Sequence, residues 1–190
     1  MNTSIGREAK ELTLALKGNS KVQGDWGEML LKQLLEKSGL EEGTNYVLQA
    51  TENEDGTKIK SEDGGQLRPD AVFYLPEGKS LVIDSKVSLT AYTDYINASV
   101  EEQPAALAAH LRSVKQHIDE LARKEYPKYV QNAADFVMMF VPNEGAYLAA
   151  LNADKELWES AYQRHIVIIS PTHLISVLKL MYQLWIRDKQ

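Results

Sequence analysis

Two carboxylates and one amine lie at the ends of two strand-like segments that are close together in the chain. Asp70 comes directly before the run 71–75, and Asp84 and Lys86 come at the end of the next run, 81–83. Residues two apart on a strand point to the same face, so Asp84 and Lys86 are expected to project side by side. If the two runs pair as antiparallel strands, the start of the first lies beside the end of the second, and Asp70 comes near Asp84.

This combination of groups suits the hydrolysis of a phosphodiester bond. Carboxylate oxygens are the ligands that Mg²⁺ or Mn²⁺ prefers, and one or two of them often suffice together with water and substrate oxygens. A bound ion polarises the phosphorus–oxygen bond and generates hydroxide from water. We therefore predict a magnesium or manganese site at Asp70 and Asp84, with Lys86 orienting or deprotonating the attacking water and offsetting charge in the transition state.

A third carboxylate often completes such a site, and Glu28 is the best candidate. It lies in the segment Gly24-Asp25-Trp26-Gly27-Glu28 of a predicted amphipathic helix. The two glycines permit a close approach of backbone or ligand. The alternative for all these residues is structural, because carboxylates and lysines at strand ends are commonly solvated and an Asp-x-Lys triplet alone is a weak signal.

Five other polar residues flank the predicted cleft and are candidates for DNA contact or for holding a ligand. They are Gln23, Gln49, Arg68, Ser88 and Tyr92. The alternative for the first four is a cap, turn or strand hydrogen bond, and for Tyr92 it is core packing rather than stacking on a base. The four histidines show no metal-ligand spacing and are interpreted as structural or solvated. The basic stretch 112–128 is interpreted as a solvated helix surface, with contact to a phosphate backbone as the alternative.

The elements that must position these groups follow an α/β pattern, read from helical and alternating hydrophobic spacing. In order, they are a helix at 22–35, strands at 46–49, 71–75 and 81–84, helices at 88–97 and from 104, a strand at 136–141, helices at 144–152 and 154–163, a strand at 166–169 and a helix from 171. The polar segment 52–66 is predicted to be a mobile hairpin. This order predicts one α/β domain with a mixed central sheet flanked by helices.

Composition and charge exclude several classes of protein. The chain has 190 residues, no cysteine and a net charge of -6. The lack of cysteine excludes disulfides, thiolate metal sites and a cysteine nucleophile, and it fits a cytoplasmic protein. There is no apolar run long enough to span a membrane and no signal-peptide pattern. The negative charge argues against a protein that coats DNA, but not against an enzyme that meets phosphate through a cation held by carboxylates.

Short motifs and longer stretches resemble a known family. Pro69-Asp70 and Asp84-Ser85-Lys86 resemble the signature of the PD-(D/E)xK nuclease superfamily. More specifically, the chain resembles the conserved domain of the RmuC family of bacterial DNA recombination proteins. The resemblance is carried, in family order, by GNSKVQGDWGEMLLKQLLEKSGL, LRPDAVFYLP, LVIDSKVSLTAY, DFVMMFVPNEGAYLAAL and IVIISPTHLISVLKL.

The resemblance implies a restriction-endonuclease-like core and a role in DNA recombination or repair. By position, it implies that Asp70 and Asp84 are metal ligands, that Lys86 is the catalytic lysine and that Glu28 is the helix-borne acid of the superfamily.

The resemblance also carries expectations about the flanks of this domain. RmuC family members usually carry an N-terminal membrane anchor and long coiled-coil segments. We therefore expect residues 1–17 to be the helical stub of a flanking coiled coil and residues 18–190 to be the nuclease-fold domain. The implied whole protein is a homo-oligomer through those coiled coils, anchored to the inner membrane, with no membrane contact from this segment.

Two other functions stay open on the sequence alone. The first is a non-catalytic DNA-binding or scaffold module that retains the nuclease fold. The second is a nuclease that acts on RNA or on branched DNA. The presence of all the acids and the lysine favours an enzyme over a degenerate scaffold.

Overall fold

The computed structural model describes residues 20–49, 52–61, 64–65, 67–85 and 88–189. The helices in these ranges are α1 Ser20–Lys37, α2 Thr90–Asn97, α3 Gln103–Lys124, α4 Tyr126–Tyr129, α5 Glu144–Ala153, α6 Leu157–Gln163 and α7 Pro171–Lys189. The strands are β1 Tyr46–Leu48, β2 Ala71–Tyr74, β3 Ser80–Asp84, β4 Ala133–Phe140 and β5 Ile166–Ile169. The predicted helical stub at 1–17 and the predicted catalytic Lys86 lie outside the described residues.

The strands form one mixed sheet whose spatial order follows the chain order, β1-β2-β3-β4-β5. β1, β2 and β3 pair antiparallel, whereas β3, β4 and β5 pair parallel. Parallel neighbours need a crossover connection, and helices α2–α4 and α5–α6 lie within the two crossovers. The predicted α/β fold with a mixed central sheet flanked by helices is therefore confirmed.

A tight turn joins β2 to β3. The Leu75 amide donates to the Lys79 carbonyl at 2.7 Å, and the Gly78 amide donates to the Leu75 carbonyl at 3.1 Å. Gly78 has a φ of 82°, which glycine adopts without steric cost. This short connection makes the two strands antiparallel neighbours, which is the arrangement that brings the two predicted aspartates to one end of the sheet.

Two hydrophobic cores lie on opposite faces of the sheet. The α3-side core joins the sheet to α3 and includes Val82, Val114, Ile118, Leu121, Val137 and Met139. The α1-side core joins the other face to α1 and α7 and includes Leu31, Leu35, Ile83, Phe140, Leu174 and Leu178. Side chains alternate along a strand, so the neighbours Val82 and Ile83 belong to different cores.

The apolar stripes predicted for three helices are buried. Their buried members are Leu31 and Leu35 of α1, Val114, Ile118 and Leu121 of α3, and Leu174, Leu178 and Met181 of α7. Trp26, predicted on the α1 stripe, packs instead against the α3-side core, so α1 contacts both cores. None of the helices in the described part of the chain is long and apolar enough to cross a lipid bilayer.

Element bounds differ from the sequence prediction by a few residues. β1 ends at Leu48, because Gln49 turns the chain with a φ of 51°. β4 begins at Ala133, three residues earlier than predicted. α2 begins at Thr90 rather than directly after Ser88, although the Ser88 hydroxyl accepts a hydrogen bond from the Thr90 amide at 3.3 Å.

The polar segment predicted as a hairpin is tied to the core. Its described residues contain one antiparallel bridge, between Glu52 and Lys58. Ile59, which follows the bridge, is fully buried in the α3-side core. One apolar side chain therefore anchors a segment whose composition is otherwise polar.

Candidate functional site

The register of β2 and β3 places Asp70 and Asp84 at the same end of the sheet. Ala71 pairs with Ile83, so Asp70, one residue before Ala71, and Asp84, one residue after Ile83, come to the same end of the two strands. Each of the two aspartates is only 2% exposed. Two buried aspartates thus lie at the same end of β2 and β3.

Hydrogen bonds from neighbouring strands hold the carboxylate of Asp70. Its Oδ2 accepts from the Ser85 amide at 2.7 Å and from the Ser85 hydroxyl at 3.1 Å. The Gln49 side-chain amide lies 3.5 Å from Oδ1, and the Gln49 backbone amide donates to the Asp70 carbonyl at 2.9 Å. Asp70 therefore links the ends of β1, β2 and β3, and its orientation is fixed by at least two donors.

Asp84 faces the α3-side core, where Lys124 supplies a positive charge. The Lys124 Nζ lies 3.4 Å from Asp84 Oδ2, with the lysine side chain 32% exposed and the aspartate 3%. The same Nζ lies 5.6 Å from the centre of the Tyr126 ring. For Lys124, the structure corrects the interpretation of 112–128 as a solvated surface. Helical spacing could have indicated that Lys124 faces the core, because it lies three residues after the buried Leu121 and so shares the helix face of Leu121.

The phenol of Tyr126 lies between the helical layer and both aspartates. Burial raises the pKa of Tyr126 well above its usual range, and the negative charges of Asp84 and then Asp70 raise it further, together with a hydrogen bond to Asp84. The phenol therefore stays protonated at ordinary pH. No local pattern in the sequence indicated Tyr126 as part of this site.

His117 lies about two helical turns before Lys124 and borders the same small cavity as Lys124. The cavity has a volume of about 30 Å³ and also contacts Asp84, Glu120 and Lys124. His117 Nε2 accepts from the Ser88 amide at 3.3 Å, and its Nδ1 lies 3.7 Å from a Glu120 carboxylate oxygen. Burial lowers the pKa of His117, an effect that Glu120 opposes and Lys124 reinforces. His117 therefore makes structural contacts, as predicted, and it borders the same cavity as Asp84.

Glu28 reaches a different cavity on the α1 side. This cavity, of about 430 Å³, is lined by Glu28, Gln49 and Asp70 among others. α1 comes close to the end of β3 at Gly27, where an added Cβ would lie 3.2 Å from the Ser85 carbonyl oxygen. The predicted close approach is thus made at Gly27, whereas nothing lies within 4 Å of a Cβ added at Gly24.

Comparison with known proteins identifies the family. A family profile described as the RmuC family matches residues 1–190. This chain belongs to the RmuC family. It is 43% identical over 195 residues to a "DNA recombination protein RmuC homolog" of Neisseria meningitidis serogroup A, which covers 100% of the chain and 32% of that protein.

Other relatives of the RmuC family show the same coverage. The chain is 40% identical to the homolog of Yersinia pestis and 39% identical to the "DNA recombination protein RmuC" of Escherichia coli, covering 100% of the chain and 39% of each relative. The chain therefore spans about a third to two fifths of the length of the curated relatives it matches. No solved structure matches it.

The carboxylates of this RmuC-family chain have the donor chemistry for a hard divalent ion. The described residues contain no group of three or more His, Asp or Glu side chains placed to hold a metal ion. Glu28 shares a cavity with Asp70, whereas Asp84 borders the cavity on the α3 side. Mg²⁺ commonly keeps several waters and uses one or two carboxylates plus substrate phosphate. Asp70 and Asp84, at one end of adjacent strands, supply the two carboxylates that such a site requires, and Glu28 as a further ligand stays a prediction.

Two of the residues predicted to contact DNA are hydrogen-bonded to each other. Gln23 is 3% exposed, and its Oε1 accepts from the Ser88 hydroxyl at 3.2 Å and from the Leu89 amide at 3.3 Å. Its Nε2 donates to the Thr90 hydroxyl at 2.8 Å. These contacts match the structural alternative for Gln23 and Ser88.

Tyr92 and Arg68, two further residues of that set, lie in different environments. Tyr92 packs beside His110, with ring centres 5.4 Å apart, and is partly buried against the α3-side core. Arg68 is exposed, directly before the buried Pro69 and Asp70. Near Asp70, Arg68 thus presents its side chain to solvent, and Gln49 lines the cavity that Asp70 borders.

Proposed function

We propose that this domain is a Mg²⁺- or Mn²⁺-dependent nuclease that hydrolyses phosphodiester bonds of DNA during recombination. The observation that carries the proposal is the pair of buried carboxylates, Asp70 and Asp84, at one end of adjacent antiparallel strands. Lys86 follows Asp84 by two residues. Membership in the RmuC family supports the role in recombination, because the named relatives are DNA recombination proteins.

In the proposed mechanism, Asp70 and Asp84 would hold the ion. A bound divalent ion supplies Lewis acidity at the phosphoryl group and lowers the pKa of water. Asp70 is preorganised for this role by the Ser85 amide and hydroxyl, which fix its Oδ2. Lys86 orients the attacking water and stabilises the negative charge of the transition state.

The residues around the carboxylates keep the site organised. Lys124 limits the repulsion between the two buried negative charges, because its ammonium group lies beside Asp84. The neutral phenol of Tyr126 adds no further negative charge next to the carboxylates. Glu28 lines the α1-side cavity together with Asp70, where its carboxylate would serve as the further acidic ligand of the ion.

Cleavage assays test the proposal. Purified wild type is incubated with linear, circular and branched DNA in Mg²⁺ or Mn²⁺, beside the Lys86→Ala and Asp84→Asn variants. We expect both variants to lose at least about 100-fold in rate, the usual contribution of a positioned acid–base group. The matched controls are Lys155→Ala and Asp135→Asn, which replace exposed residues of the same types. Equal cleavage by wild type and the Lys86 and Asp84 variants, all folded by circular dichroism, would contradict the proposal.

A non-catalytic DNA-binding or scaffold module is the second candidate. It is favoured by the contact of Lys124 with Asp84, which already neutralises one of the two carboxylates. This candidate predicts DNA binding that persists in EDTA and survives Lys86→Ala, measured by fluorescence anisotropy. A panel that includes RNA and branched DNA separates the remaining substrate classes. Oligomerisation through flanking coiled coils and membrane anchoring stay proposals about the longer protein.

A further inference from the structure

Lys124 of α3 supplies a charge that compensates the buried carboxylate of Asp84. Its Nζ lies 3.4 Å from Asp84 Oδ2, and the aspartate side chain is 3% exposed. A buried carboxylate costs free energy unless a positive charge and hydrogen bonds compensate it. The phenol of Tyr126 also bonds Asp84, but a neutral donor leaves the negative charge in place. The ammonium group of Lys124 therefore balances the charge of Asp84.

The end of α3 directs Lys124 toward the sheet. Leu121, three residues earlier and so on the same helix face, is buried in the α3-side core. Glu125, the next residue, has a φ of 51° and turns the chain into α4. The last turn of a helix also favours a cation, because the carbonyl ends of its peptide dipoles lie there. Backbone position and charge thus both favour an ammonium group at Asp84.

The space beside this contact admits only a small group. The cavity bordered by Asp84, His117, Glu120 and Lys124 has a volume of about 30 Å³. This is roughly the volume of one molecule in liquid water. A Mg²⁺ ion bound by carboxylates usually keeps several of its own waters. A hydrated ion on this side of Asp84 and the Lys124 ammonium group therefore cannot share the cavity.

Charge repulsion acts in the same direction as the lack of space. A divalent ion held by Asp84 adds two positive charges next to the ammonium group, and like charges a few ångströms apart repel strongly where water is scarce. Lys124 is able to move away, because its side chain is 32% exposed and its four-carbon stem is flexible. The solvated ammonium group would then leave Asp84 to the ion.

We propose that Lys124 is an internal competitor for the metal site, and that a divalent ion binds Asp84 by displacing the Lys124 ammonium group into solvent. This inference rests on the proposed function, since the ion concerned is the one proposed at Asp70 and Asp84. It adds that Lys124 sets the concentration of metal at which the site fills. An ion pair with a purely structural role would instead hold α3 to β3 whether or not metal binds.

Substitutions at Lys124 separate the charge of the side chain from its bulk. Lys124→Met and Lys124→Gln remove the charge and keep an unbranched side chain, whereas Lys124→Arg keeps the charge. The matched control is Lys115→Met, because Lys115 lies on the same helix and its Nζ is 3.1 Å from the carboxylate of another aspartate, Asp154. This control removes one positive charge and one ion pair of α3 but leaves the contact with Asp84 intact.

The first measurement is Mn²⁺ binding, followed by electron paramagnetic resonance of the free ion, and it needs no DNA. We expect the Kd to fall at least about tenfold in Lys124→Met and Lys124→Gln, the equivalent of one hydrogen bond to a charged group that the ion no longer has to break. Lys124→Arg should bind as the wild type does. Lys115→Met should stay within about twofold of wild type, because a largely exposed pair contributes little. Adding Asp84→Asn to Lys124→Met should abolish the gain, because the ion then loses the carboxylate for which Lys124 competes.

A second measurement follows Lys124 in the wild type, so it does not depend on the folding of a neutral variant. In protein labelled with ¹³C at lysine Cε, the Lys124 signal is assigned by its loss in Lys124→Arg. Saturating Mg²⁺ should move this signal toward the position of exposed lysines. The Lys115 signal, assigned in the same way through Lys115→Arg, should not move.

Two results would overturn the inference and leave the proposed function intact. They are an equal Mn²⁺ affinity in wild type and the neutral Lys124 variants, and a Lys124 signal that does not move at saturating Mg²⁺. Tighter binding by the neutral variants together with a moved signal supports displacement even if no DNA is cleaved, in which case the nuclease proposal fails alone. A lack of Mn²⁺ binding in the wild type and in every variant would contradict both.

Discussion

The two faces of the central sheet are built from different kinds of buried residues. The α1-side core is packed with apolar side chains, of which Leu35, Phe140 and Leu174 are fully buried. On the other face, Asp84 and His110 are as deeply buried, although both are ionisable. Burying a charged or polar group costs free energy unless it has a partner.

The difference assigns distinct roles to the two faces. Asp84 is paired with Lys124, and His110 is hydrogen-bonded through Nε2 to the Ala146 carbonyl at 2.8 Å. Within the described residues the Nδ1 of His110 has no hydrogen-bond partner. Buried ionisable groups with perturbed environments cluster at functional sites. We therefore expect the apolar α1-side core to supply mainly stability, whereas the α3-side face contributes the paired Asp84 to the candidate site.

The largest expected effect compares one residue from each face. Phe140→Ala should lower the free energy of unfolding by about 3–5 kcal/mol, because it empties a fully buried aromatic site. Asp84→Asn should cost no more than about 1.5–3 kcal/mol, since Asn keeps the shape and Lys124 can turn toward water. Urea unfolding followed by circular dichroism measures both. Equal losses would remove the distinction between the faces.

The next effect tests the packing around His110. A Cβ added to Gly145 would overlap the Tyr92 hydroxyl, and the Tyr92 ring packs at a tilt against the His110 ring. Gly145→Ala should therefore destabilise the protein by about 1–3 kcal/mol, as overpacking does. Adding Tyr92→Phe to Gly145→Ala should recover part of the loss in the same unfolding assay. No recovery in the double variant would show that the hydroxyl is not the obstacle.

A smaller effect separates two glycines of α1. Gly24→Ala should stabilise the protein by about 0.5–1 kcal/mol, because a helical glycine has excess freedom in the unfolded chain and the site is open. Gly27→Ala should lose that gain, because its Cβ would press on the Ser85 carbonyl at 3.2 Å. Melting temperatures of the two variants provide the comparison. A gain of equal size in both would mean that α1 can move away from β3.

The smallest effect is a dependence of stability on pH. Burial lowers the pKa of His110 below its usual value of 6.5, an effect only partly opposed by its hydrogen bond to the Ala146 carbonyl. The unfolded chain therefore takes up a proton before the folded protein does. The free energy of unfolding should be highest above pH 6.5 and decrease as the pH falls below it.

His117 contributes in the same direction, because its pKa is also lowered. His110→Gln keeps a donor for the Ala146 carbonyl and removes the titration, so it should flatten part of the decrease. Urea midpoints between pH 7.5 and 5 measure this slope. An unchanged slope in both His110→Gln and His117→Gln would contradict the assignment.

Much of the fold could be predicted because its signals are local. The apolar stripes of α1, α3 and α7 follow helical spacing, and burial of Leu31, Val114 and Leu174 agrees with it. The predicted bounds of the strands are less accurate, since the chain leaves β1 at Gln49 in a left-handed conformation that a glutamine does not indicate.

The candidate site could be predicted only in part. The two aspartates were found because the turn at 76–78 is too short for any connection but an antiparallel one. Lys124 is predicted to be solvated because the basic residues around it resemble those of an ordinary exposed helix end. The side-chain contacts of Gln23 and Tyr92 could not be read from spacing either, because both outward and inward orientations fit their neighbours.

The sequence by itself determined the elements, the antiparallel pairing and the placement of Asp70 beside Asp84. These features depend on hydrophobic period and turn length, which act over a few residues. Only the tertiary structure decided that Lys124 contacts Asp84 and that His117 contacts Ser88, in the segment that follows β3. Those contacts join residues 40 and 29 positions apart. They depend on where α3 crosses the sheet, which is set by the packing of the α3-side core as a whole and not by any local pattern.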